Sequence, residues 1–193
     1  MARPKAFNPD DALEKAMHVF WHKGYEATSM EDLLRAMDIR RGSLYDTFGD
    51  KRQLFLKVID RYWHSVLGPH RGILGLEGPA LTVLRRFITT MTERALMDPQ
   101  RRGCLIANTI MELAPHQRDI AGKLHRVLKL GEDAFCHLLI RAREQGEIGP
   151  DKDPRILAGV LITMMQGTVV MIKAGAPPET VRQTTKTALA TLI

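Results

Sequence analysis

Apolar positions recur along this chain at spacings of three and four, and no stretch alternates convincingly with a period of two, so the pattern predicts an all-helical protein. Leu13, Ala16, Met17 and Phe20 make one stripe at i, i+3, i+4 and i+7. Asn8 is placed to cap that helix, Asp10 and Asp11 suit the positive end of its dipole, and Gly24 stops it. Ser29 and Asp32 then have the reciprocal capping spacing for a second helix whose inner face is Leu33, Leu34 and Met37. After Asp38-Ile39-Arg40-Arg41 a third helix is expected from about Gly42 to Phe48, with Leu44 and Phe48 turned inward. Gly49 ends it, and Asp50 caps a fourth, about 51–67, that buries Leu54, Phe55, Val58, Ile59 and Tyr62.

A change of composition follows. Gly68-Pro69-His70-Arg71-Gly72 through Gly78-Pro79 reads as a connection. Beyond it five helical stretches are expected, near 79–97, 103–113, 117–145, 154–174 and 178–193, separated by proline and glycine breaks. The predicted architecture is all-α with about nine helices. An N-terminal three-helix head, residues 1–55, is joined by a linking helix to a larger helical body, residues 56–193.

Charge alters this picture less than its total suggests. The 193 residues carry a formal charge of +6, which favours a polyanionic partner. Residues 1–55 nevertheless hold nine Lys/Arg against nine Asp/Glu, a net charge of zero, so bulk basicity does not locate a nucleic-acid surface. The most apolar run, Ile156 to Ile172, is interrupted by Gly159, Thr163, Gln166, Gly167 and Thr168, so no membrane span is expected. Met1-Ala-Arg-Pro-Lys5 has no apolar run behind it, which points to a cytoplasmic protein with Cys104 and Cys136 reduced. His18 and His22 have the i, i+4 spacing of metal ligands but no third ligand nearby, and read as surface histidines. No cofactor or metal is implied.

The chemistry concentrates between Thr28 and Lys51. Two short helices joined by a tight turn are the geometry of a helix-turn-helix, whose second helix lies in the major groove of double-stranded DNA. Arg40 and Arg41 start that helix and can meet a guanine edge or a phosphate; alone they could equally be a solvated pair. Gly42, Ser43, Tyr45 and Thr47 follow on it, and Lys51 opens the next helix within reach of a phosphate. Thr28 and Ser29 can contact phosphate through hydroxyls and amides, with Ser29 also a cap. Asp46 would repel phosphate, so it either accepts from a cytosine amino group or points away.

The run Ala12 to Phe55 resembles the N-terminal domain of TetR-family transcriptional regulators. The resemblance rests on Ala16 with Phe20, Gly24-Tyr25, Thr28-Ser29-Met30, Leu33, Met37, Ile39, Gly42-Ser43-Leu44-Tyr45, Phe48-Gly49, Lys51 and Leu54-Phe55. Thr47 departs from the bulkier residue common there, and with Asp46 it suggests an individual operator. The resemblance implies a regulator, most simply a homodimeric repressor released from operator DNA by a small-molecule effector; an activator or dual regulator is the alternative. It also implies that the body binds the effector and dimerises through the last two helices, whose apolar and small residues suit a core, a dimer seam, or both.

Within the body, Cys104, Asn108 and Met111 or Glu112 share one face of a helix, and Met91, Phe135 and Met165 are the expected apolar wall of the effector site. Cys104 follows Arg101 and Arg102 at a helix start, a setting that favours thiolate. The stretch resembles that of a TetR subgroup answering small electrophiles, so Cys104 is either a sensor thiol or an inert small hydrophobe. As an enzyme nucleophile it would need a base; His116 lies about three helical turns away, and no enzymatic activity is expected.

Overall fold

Local hydrogen bonds fix the ends of the first helices. Asn8 Oδ1 accepts from the Asp10 amide at 2.9 Å and starts α1 (Pro9–Lys23), and Gly24, at φ 86°, ends it by donating its amide to the Phe20 carbonyl. A full capping box between Ser29 and Asp32 starts α2 (Met30–Met37). Asp38 closes α2 in the left-handed region at φ 55°, a conformation that aspartate tolerates better than most residues. α3 (Arg41–Phe48) follows at once, and Asp50 caps α4 (Lys51–Tyr62) by accepting from the Gln53 amide at 2.8 Å.

This computed structural model describes residues 7–193 and is helical throughout, with no strand among the described residues. The Met1–Lys5 segment discussed above lies outside them. α4 passes without a break into a π-helical stretch, Trp63–Leu67, and then α5 (Gly68–Leu74). The body adds α6 (Ala80–Leu96), α7 (Leu105–Leu113), α8 (Arg118–Glu144), α9 (Pro154–Lys173) and α10 (Pro178–Leu192). With α4, the π stretch and α5 counted as one run, the described residues form nine helical rods.

The connection expected from Gly68 is a correction: only the segment after Leu74 connects. Gly68 continues the run by donating its amide to the Trp63 carbonyl, and Pro69 follows it inside the helix, so glycine and proline here do not stop it.

Two apolar cores hold the molecule. The first unites α1 to α4 around Met17, Phe20, Leu33, Leu44 and Phe55, and it runs on into the body through Leu105, Ile106, Leu113 and Ile120. Phe20 meets Phe55 edge-on at 4.8 Å between ring centroids. The second core gathers α6, α8, α9 and α10 around Leu84, Ile88, Phe135, Leu139 and Leu161. α9 is long and apolar enough, by length and composition, to cross a bilayer. It packs along α8 and against α6 and α10, yet leaves Ile156, Val160, Val170 and Met171 exposed.

Candidate DNA-binding face and head–body cavity

Leu44 and Phe48 bury one side of α3 in the head core, so the other side must face outward. Tyr45 is 47% exposed there, and Arg40, Arg41, Gly42 and Asp46 are exposed with it, while Ser43 and Thr47 are half-buried at its edges. A Cβ added at Gly42 would meet nothing within 4 Å, so the start of α3 is open for a close approach. Arg41 is held by Glu31 of α2 at 2.6 Å, an exposed pair that a guanine edge or phosphate could exchange. The Lys51 ammonium lies 4.4 Å from the centre of the Tyr25 ring.

Thr28 and Ser29 are engaged internally. Thr28 is buried, and its hydroxyl donates to the Gly24 carbonyl at 2.6 Å while its amide donates to Tyr25. Ser29 gives both its amide and its hydroxyl to the Asp32 carboxylate. That carboxylate also meets Lys23 at 2.7 Å, and hydrogen bonds from Lys23 and from the Ser29 amide and hydroxyl hold it well below the usual aspartate pKa. The Thr28 hydroxyl is therefore a pin for the α1–α2 loop, which corrects its expected role as a free phosphate donor.

A cavity of about 460 Å³ lies where head, linking helix and body meet. The head contributes Met17 and Trp21, the linking run Tyr62 and Val66, and the body Met91, Thr92, Cys104, Met165 and Gln166. The π stretch lines this space with Ser65, Val66 and Leu67, and the Val66 carbonyl accepts from Arg94 of α6. Arg94 also meets His70 Nε2 at 2.8 Å, and burial, followed by the Arg94 charge, lowers the His70 pKa. The Gln166 side-chain oxygen is buried without a hydrogen-bond partner, an acceptor available to an occupant. Burial pushes the Tyr62 hydroxyl well above its ordinary pKa, and the adjacent Cys104 adds to the shift, so Tyr62 is a neutral donor in the wall.

The loop that closes the cavity, Asp98 to Cys104, is organised by Asp98, which accepts from the Arg102 amide at 2.9 Å and from Arg102 Nε at 3.0 Å. Burial raises the Asp98 pKa; the bonds from the Arg102 side chain and from the Arg102 and Gln100 amides outweigh it and leave the pKa lowered. Arg102 stacks over Trp21 at 4.0 Å and meets His18 Nδ1 at 3.0 Å, and Trp21 Nε1 donates to the Gly103 carbonyl at 3.0 Å. The loop thus fastens the body to α1.

Of the seven residues expected at an effector site, the structure gathers Met91, Cys104 and Met165 on this cavity. It places the other four elsewhere. Cys104 is the N-cap of α7 and lines the cavity, whereas Asn108 and Glu112 further along the helix do not, because each is turned to other partners. Asn108 donates to the Arg102 carbonyl at 2.9 Å and accepts from Lys173 at 3.0 Å. Glu112 accepts from the amides of Tyr25 and Glu26 in the head. Met111 is 57% exposed, and Phe135 packs edge-on to Phe87 in the second core. Trp21, Tyr62 and Gln166, absent from the sequence expectation, take their places.

Sequence and structure comparisons place the chain among known proteins. A family model described as "Bacterial regulatory proteins, tetR family" matches residues 12–58, and one described as "Tetracyclin repressor-like, C-terminal domain" matches residues 80–188. The chain is 41% identical over 165 residues to the uncharacterized HTH-type transcriptional regulator YezE of Bacillus subtilis (strain 168), covering 83% of this chain and 84% of that one. It is 33% identical over 188 residues to the HTH-type transcriptional repressor ComR of Escherichia coli (strain K12), covering 97% and 90%. A cysteine mutant of the TetR-family regulator CifR, solved with 26 bp double-strand operator DNA, superposes with a TM-score of 0.89 at 30% identity, covering 97% and 98%.

Proposed function

We infer that this chain, which belongs to the TetR family of DNA-binding transcriptional regulators, is a cytoplasmic homodimeric repressor that a small molecule releases from its operator. The observation that carries the reading is the position of the cavity: its wall draws on head, linking helix and body together. An occupant that fits one relative placement of these parts better than another shifts the population between them. ComR, similar over nearly its whole length, is named a repressor, and regulators rather than enzymes make up the relatives above. The exposed apolar face of α9, with α10 beside it, is the surface for a second copy. A two-fold dimer would set two α3 helices at half-sites roughly 34 Å apart.

Arg40, Arg41, Gly42, Ser43, Tyr45, Thr47 and Lys51 form the DNA face in this reading, with Ser29 and Thr28 holding the start of α2. The test is fluorescence anisotropy with a labelled duplex from the promoter of the chain's own gene. Affinity should fall steeply with salt as phosphate contacts release counterions. Arg40→Ala and Tyr45→Ala should each weaken binding by about tenfold or more without moving the melting temperature, because each base contact contributes ~1–3 kcal/mol. A flat salt response would sink the reading.

A second reading concerns the effector class, and the position of Cys104 on the cavity wall favours it. Its thiol would add across an activated carbon–carbon double bond, the sulfur bonding one carbon and the thiol proton ending on the other. N-ethylmaleimide should lower operator affinity of the wild-type protein and leave Cys104→Ser unaffected; Cys136, buried in the second core, is shielded. An equal response from both proteins rules the sensor role out.

A further inference from the structure

α7 belongs to the body by sequence, yet it is built into the core of the head. Its Leu105, Ile106 and Leu113 sit among the buried residues of α1 to α4. Its last turn carries Glu112, whose two carboxylate oxygens accept from successive backbone amides of the α1–α2 loop, Tyr25 at 3.0 Å and Glu26 at 2.8 Å. Charge-assisted bonds of this kind are stronger than neutral ones, and two of them to adjacent amides fix orientation as well as position. Gly24 shows how closely the parts approach: a Cβ there would lie 3.0 Å from both carboxylate oxygens, and its φ of 86° already favours glycine.

The residue so held leads directly to the DNA face. Tyr25 packs on Phe55 with ring centroids 4.8 Å apart, and its ring carries the Lys51 ammonium. Three residues on, Thr28 and Ser29 start α2. We propose that Glu112 is a positioning residue for operator binding: from the body it clamps the α1–α2 loop, and through Tyr25 it sets Lys51 and the start of α2 against the phosphate backbone. Glu112 touches no DNA in this arrangement and acts through the residues it holds. The proposal rests on the reading of Lys51 as a phosphate contact but does not require an occupant in the cavity.

Electrostatics gives the test an unambiguous sign. Removing a negative charge near a polyanion should by itself tighten binding, whereas losing the clamp should weaken it. In the full-length protein, Glu112→Gln keeps the shape but turns an NH₂ toward one of the two donors. Operator affinity should fall about tenfold, as expected when a hydrogen bond to a charged group is lost and its partner is stranded. The slope of log affinity against log salt should shrink by about one, toward that of Lys51→Met, because one phosphate contact is no longer set. Glu112→Asp, which keeps the charge but is too short to hold both amides, should behave in the same way.

Affinity equal to or tighter than wild type in Glu112→Gln overturns the proposal, as does weaker binding with an unchanged salt slope. Backbone amide exchange on the wild-type protein needs no variant: the Tyr25 and Glu26 amides should both be protected, and free exchange at both refutes the clamp. Lys51→Met separates the two ideas. If it binds with wild-type affinity and slope, the Lys51 contact is wrong, and amide protection with the Glu112→Gln affinity still decides the clamp.

Discussion

Glutamate at both Gly159 and Gly167 is expected to leave the chain helical, dissociate it to monomers, and weaken operator binding by about 10²–10⁴-fold. That factor is the gain from linking two binding modules, which a monomer forfeits. The sites are chosen for what surrounds them. A Cβ added at Gly159 or Gly167 meets nothing within 4 Å, so the substitution disturbs no packing inside the chain. Glycine is the poorer helix former by roughly 0.8–1 kcal/mol against the best residues, so the isolated α9 should gain helical preference. Ile156, Val160, Val170 and Met171 flank the two glycines on an exposed apolar strip, and the Ile156-to-Thr163 part of that strip borders an open groove against α10. Apolar residues beside small ones suit close helix–helix approach, and charge in such a seam is costly to bury. Sedimentation equilibrium, circular dichroism and operator titration on the same sample check the result. A variant that remains dimeric would place the dimer seam elsewhere on the molecule.

What was legible in the sequence was mostly local. The Ser29–Asp32 box, the Gly24 stop and the Leu44/Phe48 pair each depend on residues within a few positions of one another, and spacing alone reveals them. The chain is helical to Leu67 as its spacing predicts, but α5 lies where Gly68 and Pro69 read as a connection, because a glycine–proline pair looks the same in sequence whether it ends a helix or continues one. The cavity was half legible. Met91, Cys104 and Met165 meet there, but Asn108 and Glu112 do not, although helical phase groups both with Cys104. Phase tells which residues share a face, not which neighbour that face meets. Glu112 finds its partner 87 positions away in Tyr25, and Trp21 finds Gly103 across 82. One signal was available: a carboxylate in the last turn of an otherwise apolar helix needs donors, and the loop after Gly24 offers backbone amides outside any helix.

Trp21→Ala is expected to cost about 3–5 kcal/mol of stability, the usual range for truncating a buried large aromatic. For a chain of this length that lowers the melting temperature by roughly 6–20 °C. Several contacts converge on the one ring. Tyr62 meets it edge-on at 5.0 Å, Arg102 stacks over it, and its N–H satisfies the Gly103 carbonyl. Trp21→Phe separates the contributions: it keeps most of the packing and strands that carbonyl, and should cost only ~1–3 kcal/mol. The transition should remain single in both variants, because one apolar core runs from the head through α7 into the start of α8, leaving no seam at which the head could melt alone. Urea unfolding followed by circular dichroism and by fluorescence of the remaining Trp63 gives both numbers. Loss under about 1 kcal/mol in Trp21→Ala would mean that the ring is not what joins head to body. Two separated transitions would mean that the shared core is not cooperative, and a cavity occupant would then act on the head through its contacts with α1 and the linking helix alone.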